Sequence, residues 1–195
     1  MKTQKMNYPE VYILRHGETF WNAENRMQGG LNSPLTQIGH AQATRQAALL
    51  ADRDLSGFAA ISSPQGRAFQ TAGIAVAPHI AMINTDVRLR EIGVGTWQGR
   101  LRAELKVEGP VQDSPDGPIA LYEQAPEGEG FDRLEARCLA FLNDLSGPSV
   151  LVTHGITSRM LRTILLGAGR KALGQLPGGQ GNVFHVKDGV QTMIE

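Results

Sequence analysis

Short apolar runs alternate with longer stretches of helical periodicity along most of this chain. Runs rich in Val, Ile, Leu and Phe predict buried strands, namely residues 11–14, 58–61, 82–85 and 149–153. Apolar residues at helical spacing predict helices between them, namely residues 36–52, 65–76, 131–145 and 156–166. Two final runs, 182–186 and 190–194, flank the turn Lys187-Asp188-Gly189 and predict a β-hairpin.

This alternation of strands with helices predicts an α/β domain with a mostly parallel sheet. A length of 195 residues suits one domain, which we expect to span residues 1–195. Between about residues 95 and 130 the pattern breaks, because Gly and Pro recur there. We therefore predict an irregular, cap-like insertion over 95–130, with one short helix near residues 101–105.

Composition and charge narrow the class of protein. Apolar residues make up 41% of the chain and charged residues 19%, as in ordinary globular proteins. Lys plus Arg equal Asp plus Glu, so the formal net charge is zero, which argues against a nucleic-acid partner. No apolar run has the roughly 20 residues of a membrane helix, and no secretory signal core is visible. With a single cysteine, Cys138, the sequence suits a reducing compartment. We expect a cytoplasmic protein with no membrane partner.

Polar residues follow three predicted strands at their carboxyl ends, where open α/β sheets place their ligands. These residues are Arg15-His16, Ser62-Ser63 and Thr153-His154. An imidazole is a good phosphoryl acceptor, because part of it is unprotonated at neutral pH. The neighbouring Arg15 is always charged and forked, so it can hold two phosphate oxygens. The pair alone favours a structural His beside a solvated Arg over a catalytic site.

Four blocks extend this pattern along the chain. They are Leu14-Arg15-His16-Gly17-Glu18-Thr19 with Trp21-Asn22 and the stretch 25–39, Ser63-Pro64 with Arg67-Ala68 and Gln70-Thr71-Ala72, Leu89-Arg90-Glu91-Ile92 with Gly95, Trp97 and Gly99, and Val152-Thr153-His154-Gly155. In this order they resemble the histidine phosphatase superfamily, also called the phosphoglycerate-mutase-like family. One such block has little specificity, whereas four in order over residues 11–155 are highly specific.

The resemblance implies a three-layer αβα sandwich and catalysis through a phosphohistidine. It implies that His16 is the nucleophile and that Arg15 and Arg67 clamp the phosphoryl oxygens. Glu91 would protonate the leaving oxygen and then activate water, and His154 would add a third cationic or hydrogen-bonding group. The implied substrate-binding residues are Asn22, Gln28, Gly29 and Gly155. The family's mechanism requires no metal or other cofactor, and the five histidines show no metal-ligand spacing.

The sequence favours a phosphatase acting on a small phosphorylated metabolite over two alternatives. Only 62 residues lie between Glu91 and His154, where mutases of this family carry a longer insertion. The residues after Glu91, 92–99, also resemble those of the broad-specificity phosphatases. A cofactor-dependent phosphoglycerate mutase and a non-catalytic phospho-ligand-binding module are the alternatives that remain.

Smaller features stay open at this point. Arg100, Arg102 and Lys106 either contact a second anionic group of the substrate or form a solvated helix face. Glu129 matches a family motif in which Ser is common at the next position, where this chain has Gly130. The C-terminal hairpin offers an edge strand through which a homodimer would form.

Overall fold

Six strands and six α-helices alternate along residues 8–109 and 119–195, the part of the chain that the computed structural model describes. The strands are β1 (Val11–Arg15), β2 (Ala59–Ser62), β3 (Ile83–Thr85), β4 (Ser149–Thr153), β5 (Val183–Lys187) and β6 (Val190–Ile194). The helices are α1 (Phe20–Ala23), α2 (Gln37–Ala51), α3 (Gly66–Ala75), α4 (Ala120–Glu123), α5 (Gly130–Asn143) and α6 (Gly155–Leu165). Every predicted strand and each of the four predicted long helices is confirmed.

The strands form one sheet in the order β3-β2-β4-β1-β5-β6. The first four of these are parallel to their neighbours, whereas β5 and β6 pair antiparallel. Beyond the paired residues of β1, His16 N–H donates to the Thr153 carbonyl at 3.0 Å. Beyond those of β2, Ser63 N–H donates to the Val152 carbonyl at 2.8 Å. The carboxyl ends of β2, β4 and β1 therefore lie side by side at one edge of the sheet.

Helices cover both faces of this sheet. Along β1, Val11 and Ile13 pack in the core that contains α5 and α6. Tyr12 and Leu14 alternate with them and pack in the core that contains α2 and α3. Because all four side chains are buried, the strand is a continuous apolar run instead of an alternating one. The three-layer αβα sandwich is thus confirmed.

The loop after β1 packs directly against the start of α2. Thr36 caps this helix by accepting a hydrogen bond from Gly39 N–H at 3.0 Å. A Cβ atom on Gly17 would overlap the carbonyl group of Gly39, and one on Gly39 would overlap the backbone of Glu18. Only glycine permits this close backbone contact, which fixes the loop that carries His16.

Helix α1 is an element that the apolar pattern does not predict, because one turn is too short to show periodicity. It forms through its cap: the Thr19 hydroxyl accepts from Asn22 N–H at 3.2 Å, and Asn22 Oδ1 accepts from Thr19 N–H at 3.2 Å. This reciprocal pair satisfies backbone donors at the helix start. The cap also places Asn22 close to the end of β1.

The region 95–130 contains more local structure than the one short helix predicted near residues 101–105. A 3-10 turn lies there, at Arg102–Glu104, but another precedes it at Gly95–Trp97 and α4 follows. Hydrogen bonds join this region to the loop after α1, since Met27 N–H donates to the Arg100 carbonyl. Residues 110–118 lie outside the described part, so the cap-like insertion over 95–130 stays a prediction.

One edge of the sheet bears on the expected homodimer. Strand β6 forms an edge of the sheet, and its Val190 is 66% exposed. Pairing of this edge with a second copy stays a prediction. Among residues 8–109 and 119–195, no helix has both the length and the apolar character needed to cross a membrane.

Candidate active site

Most of the predicted site residues line one narrow pocket next to the carboxyl ends of β1, β2 and β4. The pocket-lining members are Arg15, His16, Asn22, Gln28, Gly29, Arg67, Glu91 and Gly155. His154, the remaining one, is fully buried beside His16, with the ring centroids 5.1 Å apart. The sheet order brings these residues together, because β1 and β4 are neighbours and β2 pairs with β4.

The tautomer of His16 follows from its hydrogen bonds. Its Nδ1 lies 2.7 Å from the Gly17 carbonyl oxygen, which can only accept, so Nδ1 carries the ring proton. Its Nε2 lies 3.2 Å from Nε of Arg67, a group that can only donate. The Nε2 atom therefore holds the lone pair, which makes it the nucleophilic atom of the ring.

Both buried histidines are held in the neutral form. Burial lowers the pKa of His16 well below its ordinary value, and the positive charges of Arg67 and Arg15 lower it further. Burial also lowers the pKa of His154 strongly, followed by the charge of Arg67. His154 Nε2 lies 2.8 Å from the Ser63 hydroxyl, which ties it to the end of β2. A neutral imidazole can attack phosphorus at neutral and mildly acidic pH.

These lowered pKa values predict a loss of stability in acid. Below pH about 6.5 the unfolded chain takes up protons on His16 and His154 that the folded protein does not bind. The free energy of unfolding should therefore fall by about 1.4 kcal/mol per pH unit for each histidine. Urea unfolding at pH 7.0 and 5.5 measures this change. In the His16→Asn variant, the histidine contribution to the loss of unfolding free energy between pH 7.0 and 5.5 should be about half as large. A loss equal to that of wild type would contradict the buried neutral state of His16.

Arg67 is held rigidly although it is buried. Its Nη1 donates to the Leu31 carbonyl at 2.7 Å and its Nη2 to the Gly29 carbonyl at 3.0 Å. Burial lowers the pKa of Arg67 to about 10, so the guanidinium remains charged at neutral pH. A fixed charge beside the nucleophile can stabilise phosphoryl oxygens without reorganising.

The N-terminus of α6 points into the same pocket. Glu91 Oε2 accepts from Ile156 N–H at 3.2 Å, and Glu91 Oε1 accepts from Thr157 N–H at 3.1 Å. Of the first three backbone N–H groups of α6, only that of Gly155 is not hydrogen-bonded to Glu91. A Cβ atom on Gly155 would lie 3.3 Å from Arg15 Cζ, so glycine lets the guanidinium lie against the helix start. Helix N-termini and arginines both favour anions.

Asn22 and Gln28 are linked through Thr19. The Thr19 hydroxyl donates to Asn22 Oδ1 at 3.0 Å and accepts from Gln28 Nε2 at 2.8 Å. Because the Asn22 oxygen is occupied in this way, its NH₂ group is the part that a ligand would contact. Gln28 Oε1 is buried and has no hydrogen-bond partner among the described residues.

The outer wall of the pocket contains Arg26, Arg102 and Tyr122. Arg102 Nη2 donates to the Tyr122 hydroxyl at 2.7 Å, which joins the 3-10 turn to α4. Of the three basic residues left open by the sequence, Arg102 alone lines the pocket. Arg100 faces Glu104 in an exposed pair at 4.0 Å, and Lys106 is exposed.

Gln65 and Gln180 are two residues whose hydrogen bonds to the site the sequence reasoning missed. Gln65 Nε2 donates to the Gly29 carbonyl at 2.8 Å, and its Oε1 accepts from Glu91 N–H at 2.7 Å. Gln180 Nε2 donates to the His16 carbonyl at 3.0 Å. The only sequence signals are indirect: Gln65 lies within the second block, and Gln180 is flanked by glycines.

Glu129 lies outside this pocket, in a cleft of about 400 Å³ behind the loop that carries Glu91. Its Oε2 accepts from Gly93 N–H at 3.0 Å, and its Oε1 pairs with Arg137 Nε at 2.5 Å. The pKa of Glu129 is lowered despite burial, because Arg137 is bonded to it. Glu129 therefore supports the Glu91 loop, and it does not line the pocket that contains His16.

No cluster of three His, Cys, Asp or Glu side chains in the described part of the chain could hold a metal ion. The positive charge that the inner end of the pocket offers to an anion comes from Arg15 and Arg67, together with the start of α6. This arrangement can bind a phosphate dianion and present a neutral imidazole to its phosphorus atom.

Known proteins resemble this chain in both sequence and fold. The family model of the histidine phosphatase superfamily (branch 1) matches residues 11–189. The protein named "Probable phosphoglycerate mutase GpmB" of Proteus mirabilis (strain HI4320) is 36% identical over 169 residues, which cover 81% of this chain and 75% of that protein. Its namesake in Yersinia pestis (strain Pestoides F) is 38% identical over 164 residues, with the same coverage of 81% and 75%.

Among solved structures, a mycobacterial glucosyl-3-phosphoglycerate phosphatase in complex with VO₃ superposes with a TM-score of 0.75. It is 27% identical, and the match covers 95% of this chain and 96% of that one. A phosphoglycerate mutase from Thermus thermophilus superposes with a TM-score of 0.67 at 32% identity, covering 91% and 92%. Since the family match spans nearly the whole chain, this protein belongs to the histidine phosphatase superfamily.

Proposed function

We propose that this protein is a metal-independent phosphatase that hydrolyses a small phosphate monoester through a phosphohistidine on His16. The observation that carries the proposal is the position of His16 Nε2, a lone pair 3.2 Å from the buried guanidinium of Arg67. A neutral nucleophile beside fixed positive charge meets the two needs of phosphoryl transfer, which are attack on phosphorus and stabilisation of the equatorial oxygens.

In the first step, the ester's phosphoryl group occupies the pocket between Arg15, Arg67 and the start of α6. One phosphoryl oxygen takes over the N–H that Arg67 donates to His16, which releases the Nε2 lone pair. Nε2 then forms a bond to phosphorus while the bond to the leaving oxygen breaks. Glu91 gives its proton to that oxygen, so an alcohol departs and a phosphohistidine remains.

In the second step, a water molecule attacks the phosphorus atom. Glu91, now a carboxylate, takes the proton of this water, and the bond between phosphorus and Nε2 breaks. Inorganic phosphate leaves and His16 returns to the neutral form. The Nδ1 proton stays hydrogen-bonded to the Gly17 carbonyl throughout, and that hydrogen bond fixes the ring orientation.

Glu91 has one oxygen suited to the proton-transfer role. Its Oε1 accepts three hydrogen bonds, from Ile92 N–H and from the N–H and hydroxyl of Thr157. Its Oε2 accepts one, from Ile156 N–H at 3.2 Å. We infer that Oε2 is the oxygen that exchanges the proton with the leaving group, since Oε1 is already committed to three hydrogen bonds and Oε2 to one.

The Glu91→Gln variant tests this role through the leaving group. An aryl phosphate has a good leaving group that departs without an acid, whereas an alkyl phosphate does not. We expect kcat/KM to fall about 100-fold with an alkyl ester and less than about tenfold with an aryl ester. The exposed Glu104→Gln is the control and should leave both values unchanged. Equal losses with the two esters would contradict proton donation by Glu91.

Hydrolysis is favoured over mutase activity by the short connection between Glu91 and His154, 62 residues long. A mutase must exclude water while it holds an intermediate for the return transfer. Among the described residues of this connection, only Arg102 and Tyr122 line the pocket. The name of the GpmB relatives supports phosphoglycerate mutase as the second candidate.

We propose a small phosphorylated metabolite as substrate, since the pocket is narrow and its inner end is filled by the phosphate-binding groups. We also propose a cytoplasmic location. It is supported by the single cysteine, Cys138, which is a buried free thiol.

The deciding experiment follows two products in the same reaction. Purified protein with EDTA is incubated with a panel of phosphate esters that includes 3-phosphoglycerate. Phosphate release and the formation of 2-phosphoglycerate are both measured. The proposal predicts phosphate release from at least one ester and slower isomerisation. Isomerisation without release would establish the mutase, and binding of phosphate with neither product would establish a non-catalytic module.

A further inference from the structure

Three glutamine side chains hold the backbone of the loop that carries the nucleophile. Gln46 Nε2 donates to the Arg15 carbonyl at 3.0 Å, and Gln42 Oε1 accepts from Glu18 N–H at 2.7 Å. Gln180 Nε2 donates to the His16 carbonyl itself at 3.0 Å. These residues come from α2 and from the segment between α6 and β5, outside the four sequence blocks. The loop is therefore positioned by parts of the chain that take no part in the chemistry.

Gln180 is distinct among the three, because its NH₂ group reaches a second site residue. Its Nε2 lies 3.4 Å from Asn22 Oδ1 as well as 3.0 Å from the His16 carbonyl. One donor group thus joins the nucleophile's backbone to the amide that we expect to contact the phosphate. Since Asn22 Oδ1 also accepts from Thr19, the Asn22 amide is fixed with its NH₂ group free for a ligand.

The segment around Gln180 is itself anchored. Its flanking glycines have φ angles of +112° at Gly179 and +82° at Gly181, a conformation that other residues rarely adopt. On one side, the buried Arg162 donates to the Pro177 carbonyl at 2.8 Å. On the other side, Gln46 donates to the Asn182 carbonyl at 2.9 Å. The backbone that presents Gln180 is thus held at both ends, as a positioning group requires.

We propose that Gln180 is a positioning residue for phosphoryl transfer, which holds His16 and Asn22 in the relative placement that the transition state needs. This inference rests on the proposed phosphatase function. Small displacements of catalytic groups weaken the transition state more than the bound ground state, because transition-state contacts depend more strongly on geometry. Loss of the Gln180 donor should therefore lower kcat more than it raises KM.

The test replaces Gln180 by Met, which has similar length but no hydrogen-bond donor. Gln175→Met is the matched control, because Gln175 is an exposed glutamine in the same connection. We expect Gln180→Met to lower kcat about tenfold, the value of one well-placed hydrogen bond, with KM changed less than about twofold. Vanadate, which mimics the transition state, should bind about tenfold more weakly, whereas inorganic phosphate should bind nearly as before.

The outcomes separate this inference from the proposed function. Unchanged kcat and vanadate affinity in Gln180→Met would overturn it, and so would equal losses of vanadate and phosphate affinity with kcat intact. If wild type releases no phosphate from any ester, the phosphatase proposal fails, and the vanadate-to-phosphate affinity ratio still tests Gln180. Should Gln180→Met fail to fold, Gln180→Ala removes the same donor with a smaller side chain and must give the same split.

Discussion

Replacing His16 by asparagine is expected to abolish turnover, with kcat falling at least about 10⁴-fold. Asparagine is polar and smaller than histidine, and it has no nucleophile where His16 Nε2 lies. Without it, the phosphoryl group has no acceptor other than water, and the two-step route is closed. Release of inorganic phosphate under saturating ester measures the effect.

The control for this variant is His40→Asn, which changes an exposed histidine outside the pocket. It should retain wild-type kcat. Binding of inorganic phosphate should survive in His16→Asn, because Arg15, Arg67 and the start of α6 remain. A His16→Asn variant that keeps a tenth of the wild-type rate would rule out covalent catalysis by this residue.

Replacing Arg67 by methionine is expected to lower kcat/KM about 10³-fold. The guanidinium is held by the Gly29 and Leu31 carbonyls, so its charge is fixed where negative charge develops in the transition state. Arg67→Lys keeps a charge but loses the planar fork, so its kcat/KM should lie between those of Arg67→Met and wild type. Steady-state kinetics with one aryl ester give the three values.

The exposed Arg45→Met serves as the control and should leave kcat/KM unchanged. Arg67→Met also removes the side-chain donor to the Leu31 carbonyl and one of the two donors to the Gly29 carbonyl, so its free energy of unfolding should drop. Urea unfolding separates this loss from the kinetic effect, because assays are made well below the unfolding midpoint. An Arg67→Lys variant as impaired as Arg67→Met would show that the fork geometry, and not the charge, dominates.

The strands and the mostly parallel character of the sheet, but not the strand order, could be predicted from the sequence because the central strands are buried on both faces. Strands β1 and β4 are unbroken apolar runs for that reason, and the polar residue pairs after them mark the carboxyl edge. Helix α1 escaped prediction, because a single capped turn has no periodicity. The 3-10 turn at Gly95–Trp97 escaped for the same reason.

The site was predicted largely through the family resemblance, and the contacts explain why its residues meet. The sequence contains no direct sign that Arg67 lies 3.2 Å from His16, since that contact depends on β4 lying between β2 and β1. Gln65 and Gln180 act through tertiary hydrogen bonds to backbone groups, and no local pattern encodes such bonds. The sequence also could not show that Arg102, and not Arg100, lines the pocket, because this depends on the 3-10 turn that contains Arg102.

The structure also changes how one motif residue is understood. Glu129 matches a family motif, and a substrate contact would be the simplest explanation of such a match. It is instead hydrogen-bonded to Gly93 N–H and paired with Arg137 behind the Glu91 loop. Substrate selection is therefore expected to depend on the outer wall, where Arg26, Arg102 and Tyr122 lie.

The phosphohistidine can be tested directly by trapping it. Wild type is mixed with a phosphate ester, quenched in alkali, digested, and its peptides are analysed by mass spectrometry. Alkaline quenching is chosen because phosphohistidine survives base and is lost in acid. The account predicts a phosphorylated peptide containing His16 in wild type and none in His16→Asn. Phosphate release at the wild-type rate with no phosphorylated His16 peptide, under conditions that preserve a phosphohistidine standard, would contradict it.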